Sequence, residues 1–170
     1  MKLVIIGAGG YGKTIYDLAI QSKKYNDVFF LDDNSKENNV KGICSDYKNF
    51  NSNEFEFYPA FGNNEIRLNW INKLEKDNYK IATIIHNSAY VSPSAKVGVG
   101  SVVLPKAVVN TDVKIGKGCI INCGAIIDHG CIVEDGVHIC LGAIVKGENR
   151  IASKIKIEAG EIIQLRTYAL

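Results

Sequence analysis

The alternation of apolar and polar stretches along the chain changes character near residue 85. Before that point, short apolar runs are separated by polar stretches with helical spacing, and after it no helix-like stretch remains. The pattern predicts strand, helix, strand, turn-rich loop, strand, helix and strand over residues 3–6, 10–22, 28–31, 32–39, 55–58, 63–76 and 80–85. Such alternation is typical of a parallel sheet covered by helices, so an α/β domain is expected over residues 1–84.

A six-residue repeat begins at residue 85. Val or Ile occupies every sixth position from 85 to 163 without a gap. Small side chains stand two residues before most of these positions, at Ala89, Ala95, Ser101, Ala107, Cys119, Ala125, Cys131 and Ala143. Residues two apart on a strand point to the same side, so both sets are expected to fill a narrow core. Three hexads form one coil of about 18 residues, which predicts a parallel β-helix over residues 85–170.

The neighbouring strand positions point outward and stack on residues one coil away. The three outward faces carry Val108, Ile126, Ile144 and Ile162; Val102, Ile120, His138 and Lys156; and Lys114, Ile132 and Arg150. The first face is entirely aliphatic, and because exposed apolar patches usually mark association surfaces, another subunit is expected to cover it. His129 lies at the edge of this face, whereas His138 is half a coil further on. Within one subunit they therefore cannot share a site, but a threefold assembly could bring them together.

Composition and charge exclude several classes of function. The 170 residues carry 20 Lys and Arg against 18 Asp and Glu, and this net charge of +2 gives no electrostatic reason to expect nucleic acid or an anionic membrane as partner. The apolar runs are too short for a membrane span, and Gly7 interrupts the first one too early for a signal peptide. The five cysteines lack the spacing of a metal site and suit free thiols, so a cytoplasmic protein without a bound metal is expected.

A glycine-rich loop follows the first predicted strand. It reads Gly7-Ala8-Gly9-Gly10-Tyr11-Gly12-Lys13 and opens the first predicted helix. Backbone N–H groups of such a loop can bind a pyrophosphate beside the positive end of the helix. The acidic pair Asp32-Asp33 follows the second strand, where a carboxylate can bind a ribose or a base, although an ordinary solvated turn is the alternative. About 84 residues are too few for a six-stranded nicotinamide-binding sheet, and an oxidoreductase would leave the hexads without a purpose.

A second motif, Ile127-Asp128-His129-Gly130, interrupts the aliphatic repeat. Ile127 points inward in the hexad register, so His129 falls at a corner of the coil, where side chains project. A histidine can accept a proton at neutral pH and thus act as a general base. The alternative is a solvated surface histidine without a function.

Glycine loop, acidic pair, hexads and histidine occur here in the order found in one family, and the chain resembles it over nearly its whole length. The family comprises bacterial sugar acetyltransferases of the hexapeptide-repeat superfamily, including sialic-acid O-acetyltransferases and nucleotide-activated amino-sugar N-acetyltransferases. The resemblance implies a Rossmann-like nucleotide-sugar-binding domain over residues 1–84. It also implies that the β-helix is left-handed, that the protein is a homotrimer, and that acetyl-CoA is the co-substrate.

The resemblance also assigns roles to individual residues. It makes His129 the catalytic base, and it places the coenzyme against His138, Gly142, Gly147 and Ala159. It places the nucleotide sugar against Gly9, Gly10, Tyr11, Asp32, Asp33, Gly62, Asn63, Arg67 and Asn122. At several of these positions the residues leave another interpretation open. Asn63 suits a helix cap, an exposed Arg67 would only be solvated, Asn122 suits a turn ladder, and Gly142 and Gly147 suit a positive φ.

Two departures from the family are visible. Relatives often place a carboxylate directly after the histidine, and here that residue is Gly130, so Asp128 or a neighbouring subunit would have to serve instead. The chain also stops at Gln164-Leu165-Arg166-Thr167-Tyr168-Ala169-Leu170, where relatives continue for one or two coils. A shortened β-helix would expose unpaired backbone edges and weaken or abolish coenzyme binding.

The sequence therefore predicts an acetyl-CoA-dependent acetyltransferase that N-acetylates a nucleotide-linked amino sugar in bacterial glycan synthesis, with a UDP-linked 4-amino sugar preferred. A histidine base serves a hydroxyl as well as an amine, so a sialic-acid or other sugar O-acetyltransferase is one alternative. A catalytically impaired homologue that still binds the sugar nucleotide is the other.

Overall fold

The computed structural model describes residues 1–169 and divides the chain into two compact units, Met1–Ala82 and Thr83–Leu170. The division falls two residues before the predicted one. Across the described residues, no helix has the length and apolar character needed to cross a lipid bilayer.

The first unit is a parallel α/β layer structure. Its elements are β1 (Lys2–Ile6), α1 (Gly10–Ser22), β2 (Val28–Leu31), a 3-10 helix (Cys44–Asn49), β3 (Phe55–Pro59), α2 (Asn64–Lys76) and β4 (Lys80–Ile81). The strand order is β2-β1-β3-β4, with every pair parallel. The apolar run of β1 is buried in the centre, as expected for a strand covered on both faces.

The predicted elements of this unit are present, with two differences. The 3-10 helix was not predicted; it begins where the Asp46 carboxylate accepts the backbone N–H of Ile43 at 3.0 Å, a local cap that carries no periodic signal. The strand predicted over 80–85 is two short strands in different sheets, of which only β4 belongs to this unit.

The second unit is a parallel β-helix built from two-residue strands at intervals of six. They are β5 (Ile84–Ile85), β6 (Tyr90–Val91), β7 (Lys96–Val97), β8 (Val102–Val103), β9 (Val108–Val109), β10 (Lys114–Ile115), β11 (Ile120–Ile121), β12 (Ile126–Ile127), β13 (Ile132–Val133), β14 (His138–Ile139), β15 (Ile144–Val145), β16 (Arg150–Ile151), β17 (Lys156–Ile157) and β18 (Ile162–Ile163). They form three sheets in which residues 18 apart pair in register. The predicted hexads are thus present, and their second residues fill the core from Val103 to Ile163. Ile85, in the first strand of the β-helix, is the exception at 43% exposure.

Each sheet presents one column of outward side chains. The apolar face carries Tyr90, Val108, Ile126, Ile144 and Ile162; the histidine face carries Ile84, Val102, Ile120, His138 and Lys156; and the basic face carries Lys96, Lys114, Ile132 and Arg150. The stacking predicted from the 18-residue spacing is therefore confirmed. Tyr90, Ile126 and Ile162 are exposed by 53%, 37% and 49%, so the apolar face presents a continuous hydrophobic stripe.

A buried asparagine secures the last coil. Asn149 occupies an inward position that small side chains fill elsewhere, and it is fully buried. Its amide nitrogen donates to the carbonyl oxygens of Lys146 at 2.7 Å and Gln164 at 2.8 Å, and its oxygen accepts the backbone N–H of Tyr168 at 2.8 Å. The backbone N–H of Arg150 in turn donates to Tyr168 at 3.1 Å. The sequence predicted unpaired backbone groups at the edge of the last coil, but at Arg150 the edge strand β16 is hydrogen-bonded to the segment that follows.

Replacing Asn149 with alanine is expected to lower the free energy of unfolding by about 2–3 kcal/mol, because backbone groups of three residues lose the hydrogen bonds that this buried side chain makes. Urea unfolding at a fixed protein concentration measures the change. The control is Asn87→Ala, which alters an exposed asparagine of the first coil and is expected to change stability by less than about 0.5 kcal/mol. Equal losses in the two variants would contradict the role assigned to Asn149.

Candidate active site

His129 lies at a corner of the β-helix, directly after β12, where the chain turns from the apolar face to the basic face. Its side chain is 53% exposed, so a substrate can reach the ring. The Asp128 Oδ1 atom lies 3.1 Å from His129 Nδ1 and accepts the backbone N–H of the same histidine at 2.7 Å. We call this place the His129 corner and define it by Asp128, His129, Gly147 and Glu148.

The charge of Asp128 determines which ring nitrogen is basic. The backbone N–H of His129, assisted by the side chains of His129 and Asn110, holds the pKa of Asp128 below its usual value. An ionised carboxylate only accepts hydrogen bonds, so the neutral ring of His129 carries its proton on Nδ1 and its lone pair on Nε2. Asp128 thus orients the ring in the way that was expected of a carboxylate partner, although it precedes the histidine in sequence.

The ring of His129 lies over Gly147, the residue one coil further on. A Cβ atom at Gly147 would be 2.7 Å from Cε1 and 2.9 Å from Nε2 of the imidazole, which is closer than real Cβ contacts. Gly147 is not among the residues with positive φ, so the alternative interpretation is wrong at this position. In the observed rotamer, the ring of His129 takes the space that an added Cβ would need.

His138 is the first residue of β14 on the histidine face, and its ring lies beside the corner where this face meets the apolar face. The Asn122 amide nitrogen is 3.1 Å from His138 Nε2, and the Asn122 oxygen accepts the backbone N–H of Cys123 at 2.8 Å. Because the amide nitrogen only donates, Nε2 of His138 acts as the acceptor. Asn122 therefore satisfies turn backbone, as in the alternative interpretation, and also orients His138.

Gly142 and Ala159 belong to the same His138 corner, which we define by Asn122, His138, Gly142 and Ala159. Gly142 has φ +62° and an added Cβ would meet no atom within 4 Å. Lys106 stacks at this turn with φ 60°, so the conformation prefers glycine without requiring it. Ala159 is exposed. Of the four residues assigned to the coenzyme, three therefore lie at one corner, while Gly147 lies with His129 at the other.

In the first unit the glycine loop leaves open space at the start of α1. Gly9 is the N-cap residue and has no side chain to cap the helix, and an added Cβ at Gly9 or Gly10 would meet nothing within 4 Å. Helix N–H groups facing open space suit an anionic group such as a pyrophosphate. Next to them, the Tyr11 and Tyr58 hydroxyl groups are hydrogen-bonded at 2.6 Å.

The carboxylate of Asp32 ties the glycine loop to the turn after β2. It accepts the backbone N–H groups of Ala8 at 2.8 Å, Asn34 at 2.9 Å and Ser35 at 2.7 Å. Desolvation favours the neutral acid, but these three donors outweigh it and hold the pKa of Asp32 below its usual value. Asp32 is therefore ionised and fixed beside the loop.

Two other predicted residues act as caps. Asp33 accepts the backbone N–H of Cys44 at 2.8 Å, and Asn63 accepts those of Glu65 and Ile66, both at 3.0 Å. The cap interpretation of Asn63 is thus confirmed. Direct contact of either residue with a substrate stays a prediction.

Arg67 was expected to be exposed, and this expectation is wrong. The residue is fully buried, because its guanidinium turns back under the preceding loop. Nη1 donates to the carbonyl oxygens of Phe61 at 2.8 Å and Gly62 at 3.4 Å, and Nη2 donates to the Asn64 side chain at 2.7 Å. Arg67 therefore shapes the loop around Gly62 from below.

Comparisons with known proteins fix the family. The family model described as the PglD N-terminal domain matches residues 2–74. The acetyltransferase domain of PglB from Neisseria gonorrhoeae is 36% identical, with a TM-score of 0.94, over 97% of this chain and 83% of that domain. The chain belongs to this family of hexapeptide-repeat sugar acetyltransferases. The predicted fold class, an α/β unit followed by a left-handed β-helix, is confirmed.

Two further structures place the family in context. The same PglB domain has been solved in complex with acetyl coenzyme A, again at 36% identity and a TM-score of 0.94, over 97% of this chain and 82% of that one. PerB from Caulobacter crescentus, solved in complex with CoA and GDP-perosamine, covers 100% of this chain and 92% of its own. At 23% identity and a TM-score of 0.82, PerB shows the shared fold.

This acetyltransferase has one site residue that the sequence analysis missed. Glu148 Oε1 lies 4.0 Å from His129 Nε2, and Glu148 Oε2 accepts a hydrogen bond from Arg166 Nε at 2.5 Å. The hydrogen bond from Arg166 holds the pKa of Glu148 below its usual value, and the nearby His129 lowers it further. Residues 18 apart stack in this β-helix, so the residue that stacks on His129 is Gly147, and Glu148 follows it. The 18-residue spacing could therefore have identified Glu148 from the sequence.

Proposed function

We propose that the chain transfers the acetyl group of acetyl-CoA to the amino group of a nucleotide-linked sugar. The observation that carries the proposal is the arrangement at the His129 corner. Asp128 lies on the Nδ1 side of an exposed imidazole, which leaves Nε2 as the basic nitrogen. The pairing of this base with an oriented carboxylate suits proton removal from an attacking amine.

His129 acts as the general base in this proposal. As the amine nitrogen attacks the thioester carbonyl carbon of acetyl-CoA, Nε2 takes one of its protons, and Asp128 stabilises the imidazolium that forms. The carbon–sulfur bond then breaks, and the imidazolium returns the proton to the departing thiolate. The products are the N-acetylated sugar and free coenzyme A, and His129 is regenerated.

The His138 corner is the proposed donor site. His138, held by Asn122, contacts the acetyl group or the pantetheine arm, and Gly142 and Ala159 leave room for the arm to pass the backbone. Support comes from the PglB domain, a relative at 36% identity whose structure contains acetyl coenzyme A. Gly147 has an additional reason to be glycine, since the ring of His129 occupies the space beside it.

The first unit is the proposed binding unit for the nucleotide sugar. Gly9 and Gly10 present helix N–H groups to the pyrophosphate, and the fixed carboxylate of Asp32 suits the ribose or base. Within this proposal a UDP-linked 4-amino sugar is preferred. PerB was solved with GDP-perosamine, which supports an amino sugar as the acceptor. A GDP-linked amino sugar is therefore the substrate to compare with the UDP-linked one.

We further propose that the protein is a homotrimer. The apolar face exposes Tyr90, Ile126 and Ile162, and it separates the two corners. A neighbour packed on this face around a threefold axis would place its own His138 corner against the His129 corner, which completes a site from two subunits. The five free cysteines suit a reducing compartment, so we expect the reaction in the cytoplasm.

Calorimetric titration with acetyl-CoA tests the proposal before an acceptor is known. The protein is expected to bind the coenzyme, and His138→Ala is expected to weaken binding about tenfold, or about 1.4 kcal/mol. The control His86→Ala removes a histidine of the first coil that bonds to Ser88 and is expected to leave binding unchanged.

Titration with UDP and a UDP-4-amino sugar in the same cell separates the alternatives. Binding of the sugar nucleotide without any response to acetyl-CoA would support the impaired homologue and contradict the proposed enzyme. Calorimetry does not identify the acetylated atom. A mass-spectrometric product assay that finds a hydroxyl acetylated in preference to an amine would support the O-acetyltransferase.

A further inference from the structure

A second carboxylate lies beside the basic nitrogen of His129, and the reaction proposed above gives it no task. Glu148 Oε1 is 4.0 Å from His129 Nε2, on the side opposite to Asp128, which lies at Nδ1. The Glu148 side chain is 35% exposed, so the space between Oε1 and Nε2 is open to a substrate. An acceptor atom placed between the two side chains can contact both Nε2 and Oε1.

Two hydrogen bonds hold Glu148 in place. Its backbone N–H donates to the carbonyl of His129 at 3.0 Å, which fixes the residue one coil above the histidine. Arg166 Nε binds Oε2 at 2.5 Å and so turns Oε1 toward the imidazole.

The separation of these two acceptors suits a nitrogen that carries at least two hydrogens. Nε2 and Oε1 are 4.0 Å apart. For an atom placed roughly 3 Å from both, as in ordinary hydrogen bonds, the angle Nε2–atom–Oε1 is about 85°. An amine or ammonium can direct one N–H to each acceptor. A hydroxyl has a single hydrogen, so once it donates to Nε2 its lone pairs would face a charged carboxylate.

We infer that Glu148 binds the amino group of the acceptor and makes the site selective for an amine over a hydroxyl. The inference rests on the proposed function and deepens it, since a histidine base alone accepts protons from either group. Glu148 touches the nucleophile, while Arg166 is a positioning residue that fixes the carboxylate.

Both hydrogens of the amine are accounted for in this acetyl transfer. One amine hydrogen donates to Glu148 Oε1 and stays on nitrogen throughout, and it becomes the N–H of the amide. The other passes to His129 Nε2 as the nitrogen–carbon bond forms, and it ends on the sulfur of coenzyme A when the carbon–sulfur bond breaks. The charge of Glu148 is unchanged, and it attracts the positive charge that develops on the attacking nitrogen.

The test compares two acceptors in the wild type and in Glu148→Gln. The acceptors are a UDP-4-amino sugar and the UDP-sugar that carries a hydroxyl at the same carbon. In Glu148→Gln the kcat/KM for the amine is expected to fall roughly 10- to 100-fold, because a charged hydrogen bond to nitrogen is lost. The rate with the hydroxyl acceptor is expected to stay the same or to rise, so the ratio of the two rates falls.

The matched control is Glu134→Gln. Glu134 pairs with Arg150 at 2.6 Å and also caps a backbone N–H of the β-helix, and it is outside both corners. This variant is expected to leave both rates unchanged. Equal losses for both acceptors in Glu148→Gln, an unchanged amine rate, or a wild type that prefers the hydroxyl would each overturn the inference while leaving acetyl transfer intact. Failure of the wild type to acetylate either acceptor would overturn the proposed function itself.

Discussion

His129→Ala is expected to lower kcat by roughly 10²- to 10⁴-fold, the range that a general base contributes. The reason is the arrangement around the ring, in which Asp128 lies on the Nδ1 side and leaves Nε2 as the basic atom. The affinity for acetyl-CoA is expected to change little, because the proposed donor site lies at the His138 corner. Release of the coenzyme thiol at saturating acetyl-CoA and amine acceptor measures the effect.

His86→Ala serves as the control for this loss. His86 belongs to the same β-helix, but its ring bonds to Ser88 in the first coil and has no place in the proposed site. Its kcat is expected to equal that of the wild type. A His129→Ala enzyme that retained a comparable kcat would exclude His129 as the base.

Gly147→Ala is expected to lower kcat by about 10- to 100-fold, because misplacing a catalytic group by about 1 Å has effects of this size. The added Cβ would lie 2.7 Å from Cε1 of His129, so the imidazole has to move. The backbone at Gly147 has no positive φ, so the substitution itself introduces no backbone strain. Thermal stability is therefore expected to change little.

Two measurements distinguish this role from the coenzyme contact predicted by the resemblance. If Gly147 acts through His129, alanine at 147 adds no further loss of kcat in a His129→Ala background. If it contacts the coenzyme instead, Gly147→Ala weakens acetyl-CoA binding and its effect persists in that background. Additive losses with weakened binding would thus contradict the positioning role.

The repeat made most of the fold predictable. Hexads of aliphatic residues specify both the strand and the side that faces the core, so the register from Val103 to Ile163 could be read from spacing alone. The spacing could not predict the contacts of inward positions that carry a polar residue instead of a small or aliphatic one. Asn149 occupies an inward position as a polar residue, and its partners at 164 and 168 become visible only when the last segment is folded onto the coil.

The candidate site was predictable in part for the same reason. The position of His129 at a corner follows from the register, and its stacking on Gly147 follows from the 18-residue period, although the steric conflict with a Cβ depends on the rotamer of the ring. Arg67 was beyond such reasoning. A long charged side chain on a helix is usually solvated, and its burial depends on carbonyl groups of a loop whose path no periodic pattern encodes.

The most direct test of the account is acetyl transfer by the purified wild-type protein. Acetyl-CoA and a UDP- or GDP-linked 4-amino sugar are incubated with the enzyme, and the sugar product and the free coenzyme thiol are quantified by mass spectrometry and thiol titration. We expect one acetyl group on the sugar nitrogen for each coenzyme released, and loss of both signals in His129→Ala. Absence of acetylated sugar with either nucleotide, or acetylation that persists unchanged in His129→Ala, would contradict it.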